Sequence, residues 1–246
     1  MFYRRLFSVL AAIVFAAAAS FNTTTYAGKV TTKDNKAESG KVRLQTPMNI
    51  AILVQDDLVS RVGNELGVTR DFIRSLPAGS TVMIGYITSG TLQVRQPFTG
   101  DVEKAARALR VPIGSTSASA YNPYVEVVEA LKQFDSQKGP NTLLLISDGL
   151  DVSGGFDSSA AGHTIDIDRA IREANRRNVA VYSFYAPSVG LTSRSGLAAS
   201  YGQSSLNRLS RETGGEAFFQ GYSFVTFDSY FDRLRQSLNE QYGRVS

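Results

Sequence analysis

Two short runs constrain this chain more than anything else in it. Ile50–Val54 and Leu143–Ile146 are continuously apolar. Each is followed by one polar residue and then an aspartate: Gln55-Asp56 in the first case, Ser147-Asp148 in the second. Apolar runs of this length without alternation suit strands buried on both faces, as inner strands of a parallel sheet are. Between and after them the pattern alternates strand with helix. Strand-like runs fall at 48–55, 80–88, 91–96, 141–147, 179–186 and 216–220. Helical spacing falls over 59–75, 102–110, 124–134, 165–177, 204–213 and 224–242. Asp101 reads as an N-cap and Pro123 as a first-turn proline. The expected fold is α/β: a doubly wound, mostly parallel six-stranded sheet with helices on both faces and one antiparallel edge strand. The antiparallel pair is the 80–96 stretch, which turns at Ser89-Gly90.

The first 27 residues stand apart. Arg4 and Arg5 precede an apolar run from Leu6 to Ala19, and Thr25-Tyr26-Ala27 offers a small-x-small cleavage site. That is the layout of a secretory signal peptide, and the run is short for a membrane span. The expected organisation is a signal peptide over 1–27, a flexible arm over 28–46 with a short strand at Lys41–Leu44, and one domain over 47–246. The mature chain is then exported, to a periplasm or beyond the cell, and does not span a membrane.

Removing residues 1–27 leaves 24 Lys and Arg against 22 Asp and Glu, a net charge of +2. Nothing in that balance points to nucleic acid. The chain has no cysteine, so disulfides and thiolate metal sites are excluded, and its one histidine, His163, excludes a multi-histidine zinc site. No glycine-rich phosphate loop is present.

In open parallel sheets, ligands bind outside the carboxyl ends of the strands. Asp56 and Asp148 lie at two such ends, so neighbouring strands bring both carboxylates to one spot. Two half-desolvated anions repel each other, and a hard cation relieves that. Magnesium takes carboxylate and hydroxyl oxygens, and hydroxyls are at hand in Ser60 and in the small-residue loop Ser115–Tyr121. Asp57 is placed to cap the helix over 59–75, and Asp148 to cap the turn at Gly149. In the polar insertion over 149–164, Asp151, Asp157 and His163 read as solvated, with Asp166 capping the following helix.

These residues resemble the von Willebrand factor type A (VWA) family. Asp56-Asp57-Leu58-Val59-Ser60 stands where the family has Asp-x-Ser-x-Ser. Leu144-Leu145-Ile146-Ser147-Asp148-Gly149 is similar to its strand followed by Ser/Thr-Asp-Gly, and Glu212–Glu216 precedes the last strand as the family's does. The resemblance implies an exported protein-binding module with a metal-ion-dependent adhesion site. Mg²⁺ would be held by Asp56, Ser60, Asp148 and a hydroxyl of Thr116, Ser117 or Ser119, and completed by an acidic side chain of a protein partner. Leu58 replaces the family's first serine, so a degenerate site is expected. The alternatives are a metal-independent interaction or scaffold domain of an exported assembly, and a Mg²⁺-dependent phosphohydrolase. The phosphohydrolase pattern needs Asp-x-Asp, and position 58 is Leu.

Overall fold

The computed structural model describes residues 42–155, 165–222 and 226–243. The expected signal peptide, residues 28–41 of the arm, Asp157 and His163 lie outside the described residues. Six strands form one sheet: β1 (Asn49–Gln55), β2 (Thr81–Thr88), β3 (Thr91–Thr99), β4 (Asn141–Ser147), β5 (Val179–Tyr185) and β6 (Ala217–Phe218). Their order is β3-β2-β1-β4-β5-β6, and only the β2–β3 pair is antiparallel. The two apolar runs lie side by side at the centre, with Ile52 opposite Leu144 and Val54 opposite Ile146. Every residue of β1, β4 and β5 is buried.

The pleat divides those residues between two cores. Ile50, Ile52 and Val54 face one side, against α1 (Val62–Arg74) and α6 (Asp228–Tyr242), where Phe72 and Phe231 stack at 4.5 Å. Ala51 and Leu53 face the other side, with residues of α3 (Pro123–Leu131), α4 (Ile165–Arg176) and α5 (Gly196–Glu212). On the first side Phe184 of β5 is ringed by Phe218, Phe227, Tyr230 and Phe231 at centroid distances of 4.9 to 5.4 Å.

Several helix starts follow their caps. Asp101 accepts from the Lys104 N–H at 2.9 Å and opens α2 (Val102–Ala108). Asn122 and Pro123 open α3. The carbonyls at the end of α2 are met by arginines from two other elements: Arg70 donates to Leu109 O and Arg95 to Ala108 O.

Three expectations are corrected. Residues 42–45 form no strand; they run beside the end of α6, where the Asn239 side chain bonds both Arg43 O and Gln45 N. Helix α5 starts at Gly196, not 204, because Ser195 accepts from the Ala198 N–H and Ala198 and Ala199 are buried. Helix α6 starts at Asp228, not 224.

Candidate functional site

β1 and β4 end together, so Gln55 and Ser147 lie across from each other. The Ser147 hydroxyl donates to Gln55 Oε1 at 2.5 Å, and the Asp148 N–H donates to the same oxygen at 3.2 Å. This fixes the amide's orientation. Its nitrogen then points to Asp57 and donates to Oδ1 at 2.7 Å. A strand-end glutamine thus couples the two sides of the site. Nothing in the sequence marks it, since a polar residue closing a buried strand is ordinary.

Asp57 and Asp148 are each only 3% exposed, and both line one pocket of about 240 Å³ at the carboxyl ends of the strands. Burial, followed by the charge of Asp148, pushes the Asp57 carboxyl up to about 6. Burial pushes the Asp148 carboxyl up as well, although it is well served by donors. Its Oδ1 accepts from the Leu150 N–H at 3.1 Å, which is the turn-capping role expected of it. Its Oδ2 accepts from the Thr192 hydroxyl at 3.0 Å, and Thr192 Oγ1 in turn accepts from the Ser188 N–H. The backbone packs tightly beneath. Gly149 has φ +69°, and a Cβ on Gly202 of α5 would stand 1.9 Å from the Asp148 carbonyl oxygen. The lack of a Cβ at these two glycines lets helix and strand-end turn meet directly.

The hydroxyl loop holds one 3₁₀ turn, Thr116–Ala118. Thr116 and Ser119 line the pocket. Ser117 does not; its hydroxyl pairs with that of Ser115 at 3.0 Å on the exposed side. Ser188 closes the pocket from the loop after β5.

Asp56 is the main correction. It stands one residue from Asp57, so the pleat sends it to the opposite side of the sheet. There Arg110 grips both oxygens, at 2.6 and 2.5 Å, while the Thr88 hydroxyl (2.6 Å) and the Ile113 N–H (2.9 Å) also donate. The guanidinium lies 4.1 Å from the centre of the Tyr86 ring. The Tyr86 hydroxyl donates to Arg110 O and accepts from Arg110 N, holding the arginine's backbone. Burial works to raise the Asp56 carboxyl, but the Arg110, Thr88 and Ile113 hydrogen bonds outweigh it and hold it below the usual range. This carboxylate is neutralised and is not part of the pocket.

The other expected residues divide. Asp57 caps no helix, because α1 begins at Val62 after Arg61 without a side-chain cap. Leu58 is fully buried in the core, and its backbone bridges to Ser188, with Val59 N donating to Pro187 O and Val189 N to Asp57 O. Ser60 is exposed and does not line the pocket. Asp151 accepts from Ser153, and Asp166 sits inside the first turn of α4 and accepts from Asn122 rather than capping. So of the six residues expected to meet Mg²⁺, the pocket holds Thr116, Ser119 and Asp148, joined by Asp57 in place of Asp56. The buried leucine at 58, the exposed Ser60 and the arginine on Asp56 leave the family's magnesium donor set unassembled. Among the described residues no group of three or more His, Cys, Asp or Glu is placed to hold a metal. The Asp-x-Asp arrangement of a phosphohydrolase is absent for the same reason at position 58.

No protein-family model and no curated protein matches the chain. Solved structures do. An aerotolerance-related membrane protein from Bacteroides fragilis NCTC 9343 matches with a TM-score of 0.56 at 13% identity, over 79% of this chain and 100% of that one. BatB from Bacteroides thetaiotaomicron, described as a conserved hypothetical protein, matches with a TM-score of 0.54 at 14% identity, over 79% and 98%. The pilus adhesin SpaC from Lactobacillus rhamnosus GG matches with a TM-score of 0.51 at 12% identity, over 81% of this chain and 31% of that one. At these identities the likeness concerns the fold. Among the described residues, no helix is long and apolar enough to cross a membrane. Six strands in the order 3-2-1-4-5-6, helices on both faces and a pocket at the carboxyl ends of the central pair make this chain a member of the VWA-like fold.

Proposed function

We propose that the chain is an exported protein-interaction module that binds through the loops at the carboxyl ends of its strands, and does so without a resident metal. One observation carries the reading. Loops after β1, α2, β4 and β5 converge on a single pocket whose floor is Asp57 and Asp148, and among the described residues no Lys, Arg or His lines it. Two buried acids without a counter-charge cost stability, and such sites are kept where binding needs them. The comparison with a pilus adhesin supports an interaction role, and the basic-then-apolar start of the sequence supports export. The absence of a metal from the reading rests on the donor set: a buried leucine at 58 and a neutralised Asp56.

Thermal unfolding in EDTA, Mg²⁺ and Mn²⁺ tests it, for the parent and for Asp148→Asn. A ligand of the native state must raise the midpoint. The expected result is the same midpoint in all three conditions at millimolar metal. A rise with Mg²⁺ or Mn²⁺ that disappears in Asp148→Asn would sink the metal-free reading and restore the adhesion site.

A further inference from the structure

The same loops carry an apolar rim. Tyr121 and Leu191 line the pocket and are 51% and 44% exposed. Leu150 and Val152 continue the wall inward. Single exposed apolar side chains need no explanation, but several gathered around one pocket mark a docking surface. Tyr121 is held there against its own backbone preference. Its φ is +56°, in the left-handed region that a bulky residue seldom occupies. The Val152 N–H donates to its carbonyl at 2.7 Å, and its own N–H donates to Ser119 Oγ. Arg110 is committed to Asp56 on the other side of the sheet.

A pocket with a doubly acidic floor, apolar side chains along one wall and the hydroxyl residues Thr116, Ser119 and Ser188 in its lining is complementary to a long alkyl stem ending in a cation. We propose that this face docks a protein partner that inserts a lysine or arginine flanked by apolar residues, its charge meeting Asp57 and Asp148 and its stem lying on Leu150, Val152 and Leu191. The partner's cation then occupies the role a metal would have had. The half-exposed Tyr121 ring at the mouth adds a cation–π face. A partner presenting an acidic residue is repelled, so the preference in charge is reversed from the one the resemblance implied. The proposal rests on the interaction reading above.

Three peptides test it on the full chain in EDTA and in Mg²⁺: acetyl-Leu-Lys-Leu-amide, its norleucine analogue and its glutamate analogue. Binding is read from the amide resonances of Tyr121, Leu150 and Leu191. The lysine peptide should bind about tenfold or more tighter than the norleucine one, as expected for one desolvated ion pair. Its affinity should be indifferent to EDTA and weaken with salt. Asp57→Asn should erase the preference for lysine. Leu191→Ser, at an exposed position that leaves the fold intact, should weaken the lysine peptide. Equal binding of the lysine and norleucine peptides overturns the proposal and leaves an apolar docking face. Glutamate binding that appears only with Mg²⁺ overturns it in favour of a metal bridge. If no peptide moves those resonances in either condition, the interaction reading falls with it.

Discussion

Replacing Asp57 by asparagine should make this protein more stable at neutral pH. The carboxyl is carried from 3.8 to about 6, by burial first and by Asp148 second. Each pH unit corresponds to 1.36 kcal/mol, so keeping the acid ionised in the folded chain at neutral pH costs about 3 kcal/mol. The sign follows from proton counting. Between 3.8 and about 6 the folded chain holds a proton that the unfolded chain has released, so stability falls as pH rises through that window and the penalty is complete above it. By the same relation the parent gains about 1.4 kcal/mol from this group on going from pH 7.5 to pH 5. Asparagine keeps an oxygen for the Gln55 amide and carries no charge. The variant should therefore gain up to about 3 kcal/mol at pH 7.5 and lose this part of the pH slope. Urea unfolding of both proteins at pH 5, 6 and 7.5 measures it. A variant less stable than the parent at pH 7.5, or one with the parent's full slope, would refute the view that this acid is held at a cost.

Other substitutions probe the surrounding frame. Arg110→Met leaves the Asp56 charge buried, and breaking such a pair costs 3–5 kcal/mol. With the Arg110 side chain 27% exposed, the lower end of about 3 applies, lowering the thermal midpoint by about 6–12 °C for a domain of this size. The carboxyl of Asp56 is held low, so in the parent its contribution is present above about 3.8 and fades as pH falls below; that acid-side loss should shrink in the variant. Leu58→Ser restores the family's residue type but empties a core position. It should cost about 3 kcal/mol in urea unfolding and produce no Mg²⁺-dependent rise in midpoint. Gly202→Ala places a methyl on the Asp148 carbonyl, so it should cost about 2 kcal/mol and displace the Asp57 and Asp148 side-chain resonances, whereas unchanged resonances would show that α5 does not set the pocket floor.

The fold was legible because its central strands announce themselves. IAILV and LLLI lack alternation, so they had to be inner and adjacent in type, and the helix caps at Asp101 and Pro123 wrote two boundaries directly. What stayed hidden is instructive. The choice between Asp56 and Asp57 turns on parity carried just past the end of a strand, and a strand's end is the boundary that sequence defines least well. It also turns on Arg110, a residue 54 positions away that only the fold brings to Asp56. Thr192 and Ser188 lie in the Ser/Gly-rich stretch 187–202, which reads as loop and marks neither residue. Gly196 and Gly202 argue against a helix at the start of α5, while the second of them lets the helix touch the Asp148 turn. The expectation that a hydroxyl from 115–121 reaches the site needed the three-dimensional turn to separate Thr116 and Ser119 from Ser117.

The adjacent acids Asp56 and Asp57 titrate with opposite consequences. Acid relieves the second at about pH 6, well before it reaches the first, whose carboxyl lies below 3.8. Between those limits the framework is intact and the pocket has lost part of its charge. Mild acidification should therefore weaken charge-based binding at the site while the stability contribution of Asp57 rises. A partner held by charge would be released by a protein that is growing sturdier, with no unfolding needed to let it go.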